Sequence, residues 1–394
     1  MARHKRKPIP KELRPLYKQN YGVKEKRLRS RILNHIRFEK PKFWWRERHL
    51  LQKVGLILLA LLVAWTGLMY GIAQWYINKH ANEPLQLGVT FIPSYAEYYG
   101  LDAKETMQAM ATDLGVKRFR LVSYWDQGEP QPNQYNFDTL DWEFKLAEQN
   151  NAKVSLSLGL RQPRWPECHL PAWATYLPKD AWEQKLNDYI QKIVVRYKDS
   201  PALDSYQLEN EYFLKAFGKC VNFDRDRLVS EYKLVKSIDN QHTLVVSMSN
   251  NAIGTPIGQP QPDEYAISVY KRVWDKTLTK RYFEYPIPAW YYAFRAGWVE
   301  LTRGRNSFIH ELQAEPWAPN DKDMRDISVA EQNKSLNARR LKDRFEYGKA
   351  TGMKMVDMWG AEFWYYRKVK LGDPSLWDTA RNEYQGLTNS QRYK

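Results

Sequence analysis

Tyr206-Gln-Leu-Glu-Asn-Glu-Tyr212 is a short apolar, β-prone run that closes on a carboxyl, Glu211, and gives way to an aromatic loop. Ser307-Phe-Ile-His-Glu-Leu-Gln-Ala-Glu-Pro-Trp317 does the same around Glu311. Working outward from these two, eight strand-like runs are read along the chain: 85–92, 118–124, 153–160, 204–208, 243–249, 265–270, 307–311 and 355–359. Helix-like segments separate most of them, at 104–114, 139–149, 180–198, 225–238, 289–301 and 328–351, and a closing helix is expected at 375–384. The 180–198 segment repeats Leu186, Tyr189, Ile190, Ile193, Val194 and Tyr197 at helical spacing. Residues 253–262, rich in Gly and Pro, are not expected to form a full helix. Eight strands alternating with helices fit a (β/α)8 TIM barrel, whose usual size is about 250 residues plus insertions. A doubly wound open sheet would place a Gly-rich phosphate loop after its first strand. Pro93-Ser-Tyr-Ala-Glu-Tyr-Tyr-Gly100 stands there instead.

The charge is unevenly placed. The 394 residues carry a formal net charge of +16, and residues 1–53 hold 18 Lys/Arg against four Glu, which is nearly all of that excess. The basic character therefore belongs to a tail, and a nucleic-acid partner is not expected for the remainder. Residues 54–78 lack charged side chains, and about 20 apolar residues suffice to span a bilayer as a helix. Trp44, Trp45, Trp75 and Tyr76 lie near its two ends, where interfacial aromatics are expected. The chain thus reads as a basic cytoplasmic tail (1–53), a transmembrane signal anchor (54–78), a linker (79–84) and a barrel domain (85–394). The positive-inside rule puts the N-terminus in the cytoplasm and the barrel outside, with a bacterial plasma membrane as the expected one. Two partners follow: a lipid bilayer for 54–78, and anionic lipid headgroups for the tail, where a basic helix is expected at 27–38. Cys168 and Cys220 both fall on the outer side, where a disulfide between them is permitted.

In a barrel of this type the active site lies at the C-terminal strand ends, where Glu211, Tyr270, Glu311 and Trp359 fall. Two carboxyls facing each other across such a mouth are what cleavage of a glycosidic bond needs, one as acid/base and one as nucleophile. Aromatic residues in the following loops, Trp125 and Trp317 among them, offer flat faces for sugar rings. Glu315 is the rival nucleophile. Glu209 is read as a structural carboxyl paired with Arg118 or Arg120, and His310 as a packing residue facing away from the barrel axis. The outer part has no His-x-His pair and no His-Glu-x-x-His, so neither a catalytic metal nor another cofactor is expected.

An Asn-Glu pair closing strand four, a Glu closing strand seven and a Trp closing strand eight resemble the pattern of clan A glycoside hydrolases, which include family 5 cellulases and mannanases and family 42 β-galactosidases. The resemblance implies a retaining mechanism on a (β/α)8 barrel. It implies Glu211 as acid/base, Glu311 as nucleophile and Asn210 as the holder of the sugar 2-hydroxyl. It also implies Trp359 as a sugar platform, with Arg120 and Tyr270 supporting the nucleophile. Ser268 stands where family 5 usually has a His, and Gly159-Leu-Arg161 closes strand three without one. The expected substrate is a β-linked carbohydrate. A non-catalytic carbohydrate-binding scaffold on the same barrel and a transglycosidase are the competing readings.

Overall fold

The computed structural model describes residues 49–214, 217–220, 223–249 and 257–392. The expected helix at 27–38 lies outside the described residues. Two compact units divide the chain, Met1–Gly67 and Leu68–Lys394. The described part of the first unit belongs to helix α1, Leu50–Lys79, which continues into the second. Its most apolar 18 residues have a mean hydropathy of 2.2, and it is long and apolar enough to cross a membrane. Leu58, Leu61, Leu62, Val63 and Trp65 are exposed on it.

Among its described residues the second unit has ten strands: β1 Gln86–Thr90, β2 Arg118–Val122, β3 Lys153–Leu158, β4 Leu203–Leu208, β5 Thr243–Met248, β6 Glu264–Val269, β7 Arg272–Trp274, β8 Tyr282–Glu284, β9 Asn306–Gln313 and β10 Met355–Trp359. Eight of them close a barrel in the order β1-β10-β9-β6-β5-β4-β3-β2. All eight neighbouring pairs are parallel, from Gln86 opposite Met355 round to Val89 opposite Phe119. The surrounding helices are α2 Ala103–Ala109, α3 Asp138–Gln149, α4 Lys179–Tyr197, α5 Arg225–Ile238, α6 Ala289–Arg303, α7 Ala338–Ala350, α8 Ala361–Lys370 and α9 Ser375–Arg392. The apolar repeat of 180–198 is the buried face of α4.

Three local departures from the sequence reading stand out, two of them with a physical cause in a side-chain cap. The continuous helix expected at 328–351 breaks, because Asn337 leaves helical geometry and caps α7, its Oδ1 accepting from the Arg340 N–H at 3.0 Å. An unexpected antiparallel hairpin, β7–β8, follows β6. Its turn forms because the Asp275 carboxylate accepts from the backbone N–H groups of Thr277, Leu278 and Thr279. β9 runs two residues past Glu311, whereas β4 ends at Leu208 as expected, three residues before Glu211.

The barrel interior holds charge as well as hydrocarbon. Near the N-terminal strand ends Arg118 donates to Asp357 at 3.1 Å and to Asp204 at 2.7 Å. Gly88 makes room for this pair, since a Cβ there would stand 2.2 Å from the Asp357 carboxylate. One layer higher lie Thr90, Arg120, Gln207 and Glu311. Taking such charges out of water is offset only when each finds partners. That requirement fixes the rotamers on which the site above is built.

Candidate active site

A cavity of about 430 Å³ opens at the C-terminal end of the barrel, lined by Asn210, Glu211, Tyr270, Glu311, Trp317 and Trp359 among others. Six of the residues singled out in the sequence therefore meet in one place.

Glu311 comes from β9 by way of an irregularity. Against β6, Ile309 faces Ile267, but Ser268 faces Glu311, so His310 is an extra residue in the ladder. The bulge breaks the expected alternation. His310 does not turn away from the axis: its Nε2 lies 3.7 Å from Glu311 Oε1. Burial, reinforced by the Arg120 charge, holds its imidazole well below the usual range, so the ring is neutral. Glu311 itself is buried and held at both oxygens. Arg120 Nη1 donates to Oε1 at 2.7 Å and the Tyr270 hydroxyl donates to Oε2 at 3.0 Å. Arg120 is fixed in turn, donating from Nε to Gln207 at 2.6 Å and from Nη2 to Asn210 Oδ1 at 2.9 Å. Burial, then the Glu311 charge, pushes the Tyr270 phenol well above its ordinary range, so it remains a donor.

Glu211 is presented by a strained turn. Glu209 and Glu211 take φ of 53° and 43°, left-handed values that cost a non-glycine residue free energy and persist only when neighbours over-determine them. The neighbours here do so. The Glu209 carboxylate accepts from the backbone N–H groups of Leu160 and Arg161, each at 2.8 Å, and pairs with Arg227 at 2.6 Å. The expected partners Arg118 and Arg120 are thus replaced by a loop backbone and a residue of α5. Gly159 is required beside it, because a Cβ there would stand 2.5 Å from Glu209 Oε1. The Glu211 N–H is held by Ser247 Oγ at 2.7 Å. Its Oε1 is buried without a hydrogen-bond partner among the described residues. Burial, then the Glu311 charge, pushes the Glu211 carboxyl up to about 7, against weaker opposing contributions from Ser268, Arg161 and Ser249.

Two further groups line the cavity that the sequence reading did not single out. Glu167 accepts from Asn210 Nδ2 at 3.1 Å and lies 3.6 Å from Arg161 Nε. Burial, then Glu311, pushes it up to about 8. Arg164 bonds Glu315 at 3.1 Å, and its guanidinium lies over the rings of Tyr95 and Trp359, at 3.2 and 4.4 Å from their centroids. The loop holding both is tied to the loop after β4 by the Cys168–Cys220 disulfide, the flanking cysteine being the one sequence signal close to Glu167.

The remaining candidates fall differently. Glu315 also accepts from the Trp359 indole N–H at 2.9 Å and the Tyr95 hydroxyl at 2.8 Å. These contacts tie its carboxylate into the cavity wall with Arg164, Tyr95 and Trp359. Trp359 lines the cavity, with the Arg164 guanidinium over its ring. Trp317 lines the cavity edge-on to Tyr270. Trp125 does not line it. Its ring is fully buried against Trp173, and its indole N–H donates to Glu129 at 2.8 Å. The expectation of a sugar contact there is corrected: a partner one helical turn away draws the ring inward.

Among solved structures the chain is similar to GH5_18 from Bifidobacterium longum subsp. longum, at 10% identity and a TM-score of 0.52, with 78% of this chain and 79% of that one covered. It is also similar to a polyextremophilic β-galactosidase from the Antarctic haloarchaeon Halorubrum lacusprofundi, at 13% identity and a TM-score of 0.50, covering 77% of this chain and 58% of that one. A β-galactosidase from Rahnella sp. R3 gives 11% identity and a TM-score of 0.50, covering 78% and 56%. The chain thus spans little more than half the length of these two β-galactosidases. At such identities the likeness is one of fold. No family model and no curated protein matches the sequence.

Proposed function

We propose that this chain is a retaining glycoside hydrolase acting on a β-linked carbohydrate, held at a membrane by the apolar helix. The observation that carries the reading is the asymmetry of two carboxyls lining one cavity. Glu311 is clamped as a carboxylate by Arg120 and Tyr270, whereas Glu211 has an oxygen without a hydrogen-bond partner among the described residues and a carboxyl pushed up to about 7. Double displacement needs one ionised and one protonated carboxyl.

In the first step Glu311 attacks the anomeric carbon while Glu211 gives its proton to the departing glycosidic oxygen. A glycosyl–Glu311 ester forms and the aglycone leaves as an alcohol. The ester has no negative charge, so the repulsion that raised the Glu211 pKa is relieved. Glu211 then takes a proton from water, whose oxygen attacks the anomeric carbon and releases Glu311. Asn210 is held by Arg120 and Glu167, in position for a substrate hydroxyl. The fold likeness to the solved enzymes named above supports the carbohydrate class. The apolar character of α1 and the 18 Lys/Arg of residues 1–53 support anchoring with the N-terminus inside.

The test is turnover of a panel of β-linked oligosaccharides and aryl β-glycosides by the full chain in detergent, with Glu311→Gln as control. The expected result is turnover that the control lacks. Turnover that survives in the control would reject Glu311 as nucleophile.

A further inference from the structure

The last turns of α1 belong to the barrel unit, and their contacts have a direction. Tyr70 packs edge-on against Trp290, the second residue of α6, at 5.7 Å between ring centroids. Ile72 and Tyr76 close on Gly297, where an added Cβ would stand 3.0 and 3.1 Å from them. His80 and Lys79 pair with Glu300 near the end of α6, the former at 2.8 Å. The segment therefore runs alongside α6 in the same sense. α6 begins just after the stretch that contributes Tyr270 and Tyr285 to the cavity, and it ends where β9 begins. Its first turn lies at the active-site rim and its last at the opposite end of the barrel. The chain enters the barrel unit at the rim.

The bilayer's position follows from counting. About 20 residues cross the hydrocarbon core, and from Val54 that count reaches Ala73. Tyr70 and Trp290 then lie at the outer membrane boundary, at the height of the rim. A second feature of the rim agrees. The β7–β8 hairpin exposes 89% of Leu278 at its tip and 46% of Phe283 on β8, with Lys280 and Arg281 exposed between them. An apolar tip flanked by cations fits an anionic lipid surface.

We propose that the active-site mouth faces the outer leaflet of the membrane that α1 enters, and that the substrate is a glycan carried on a lipid of that leaflet. The substrate half rests on the hydrolase reading above; the orientation half does not.

Both are tested on the full chain in vesicles of phosphatidylcholine and phosphatidylglycerol. Both cysteines are in the disulfide, so a single introduced thiol is labelled with a fluorophore, either Leu278→Cys on the hairpin or Lys117→Cys just before β2 at the other end of the barrel. Doxyl-labelled lipid is expected to quench the first and spare the second. Equal quenching, or quenching of Lys117→Cys alone, overturns the orientation. The same glycan is then offered on a lipid in the vesicles and free in solution, and the lipid-borne form is expected to turn over about tenfold faster or more, through its raised effective concentration. Equal rates overturn the lipid-borne substrate. No turnover of either form overturns it together with the hydrolase reading, while quenching still decides the orientation.

Discussion

Glu311 lies inside a strand, beside a bulge, with a cation on one oxygen and a phenol on the other. Glu211 lies three residues past a strand, in a left-handed turn held by its backbone, with one carboxyl oxygen unpartnered among the described residues. The side chains are identical and each is nearly buried. The difference teaches that burial alone does not set the role. Burial with matched donors suits a carboxylate, and burial without them beside another negative charge suits a carboxylic acid.

The comparison is broken most directly at Glu211. Glu211→Gln is expected to lower kcat/KM by about 10²–10⁴-fold on substrates with poor leaving groups. A far smaller loss is expected on activated aryl glycosides, which need no proton to depart. Equal losses on both would deny it the acid role. The clamp on Glu311 comes next. Tyr270→Phe and Arg120→Lys are each expected to cost about 10²-fold in kcat. Lysine keeps the charge but lacks the fork that reaches Gln207, Asn210 and Glu311 together.

A pH profile sharpens the same contrast. The acid must be protonated in the free enzyme, so kcat/KM is expected to fall as pH rises through about 7. That limb should vanish in Glu211→Gln assayed on an activated substrate. The smallest effect concerns a carboxyl outside the site. Glu143 on α3 is fully buried with neither oxygen bonded among the described residues, and burial raises its pKa well above the usual range. The folded state therefore favours its protonated form. Relative to a neutral side chain, stability is unaffected below the unfolded pKa of about 4.3 and is lost as pH rises above it. Glu143→Gln is expected to raise Tm at pH 7 and to leave it unchanged near pH 4, as read by calorimetry.

The barrel was legible because each of its eight runs is apolar, short and followed by a loop, a pattern that depends on local composition. The paired carboxyls were legible for the same reason, being attached to those runs. What stayed hidden depended on partners distant in sequence. Glu167 has no run to mark it and reaches the cavity through a loop secured by the Cys168–Cys220 disulfide. Arg164 takes its place from Glu315, and Glu209 takes its own from Arg227 and the Leu160–Arg161 backbone. The alternation rule failed at His310 because a bulge leaves no mark in a single sequence. Hairpin β7–β8 was too short for periodicity, its strands being three residues each.

The central claim is that Glu311 forms a bond to the sugar. Incubating the full chain with a panel of activated 2-deoxy-2-fluoro-β-glycosides, then digesting it and sequencing the modified peptide by mass spectrometry, tests this directly. The account predicts a glycosyl ester on Glu311, formed as activity on the matching aryl glycoside is lost. An ester on Glu315 or Glu211 instead, or turnover of the parent glycosides with inversion at the anomeric carbon, would contradict it.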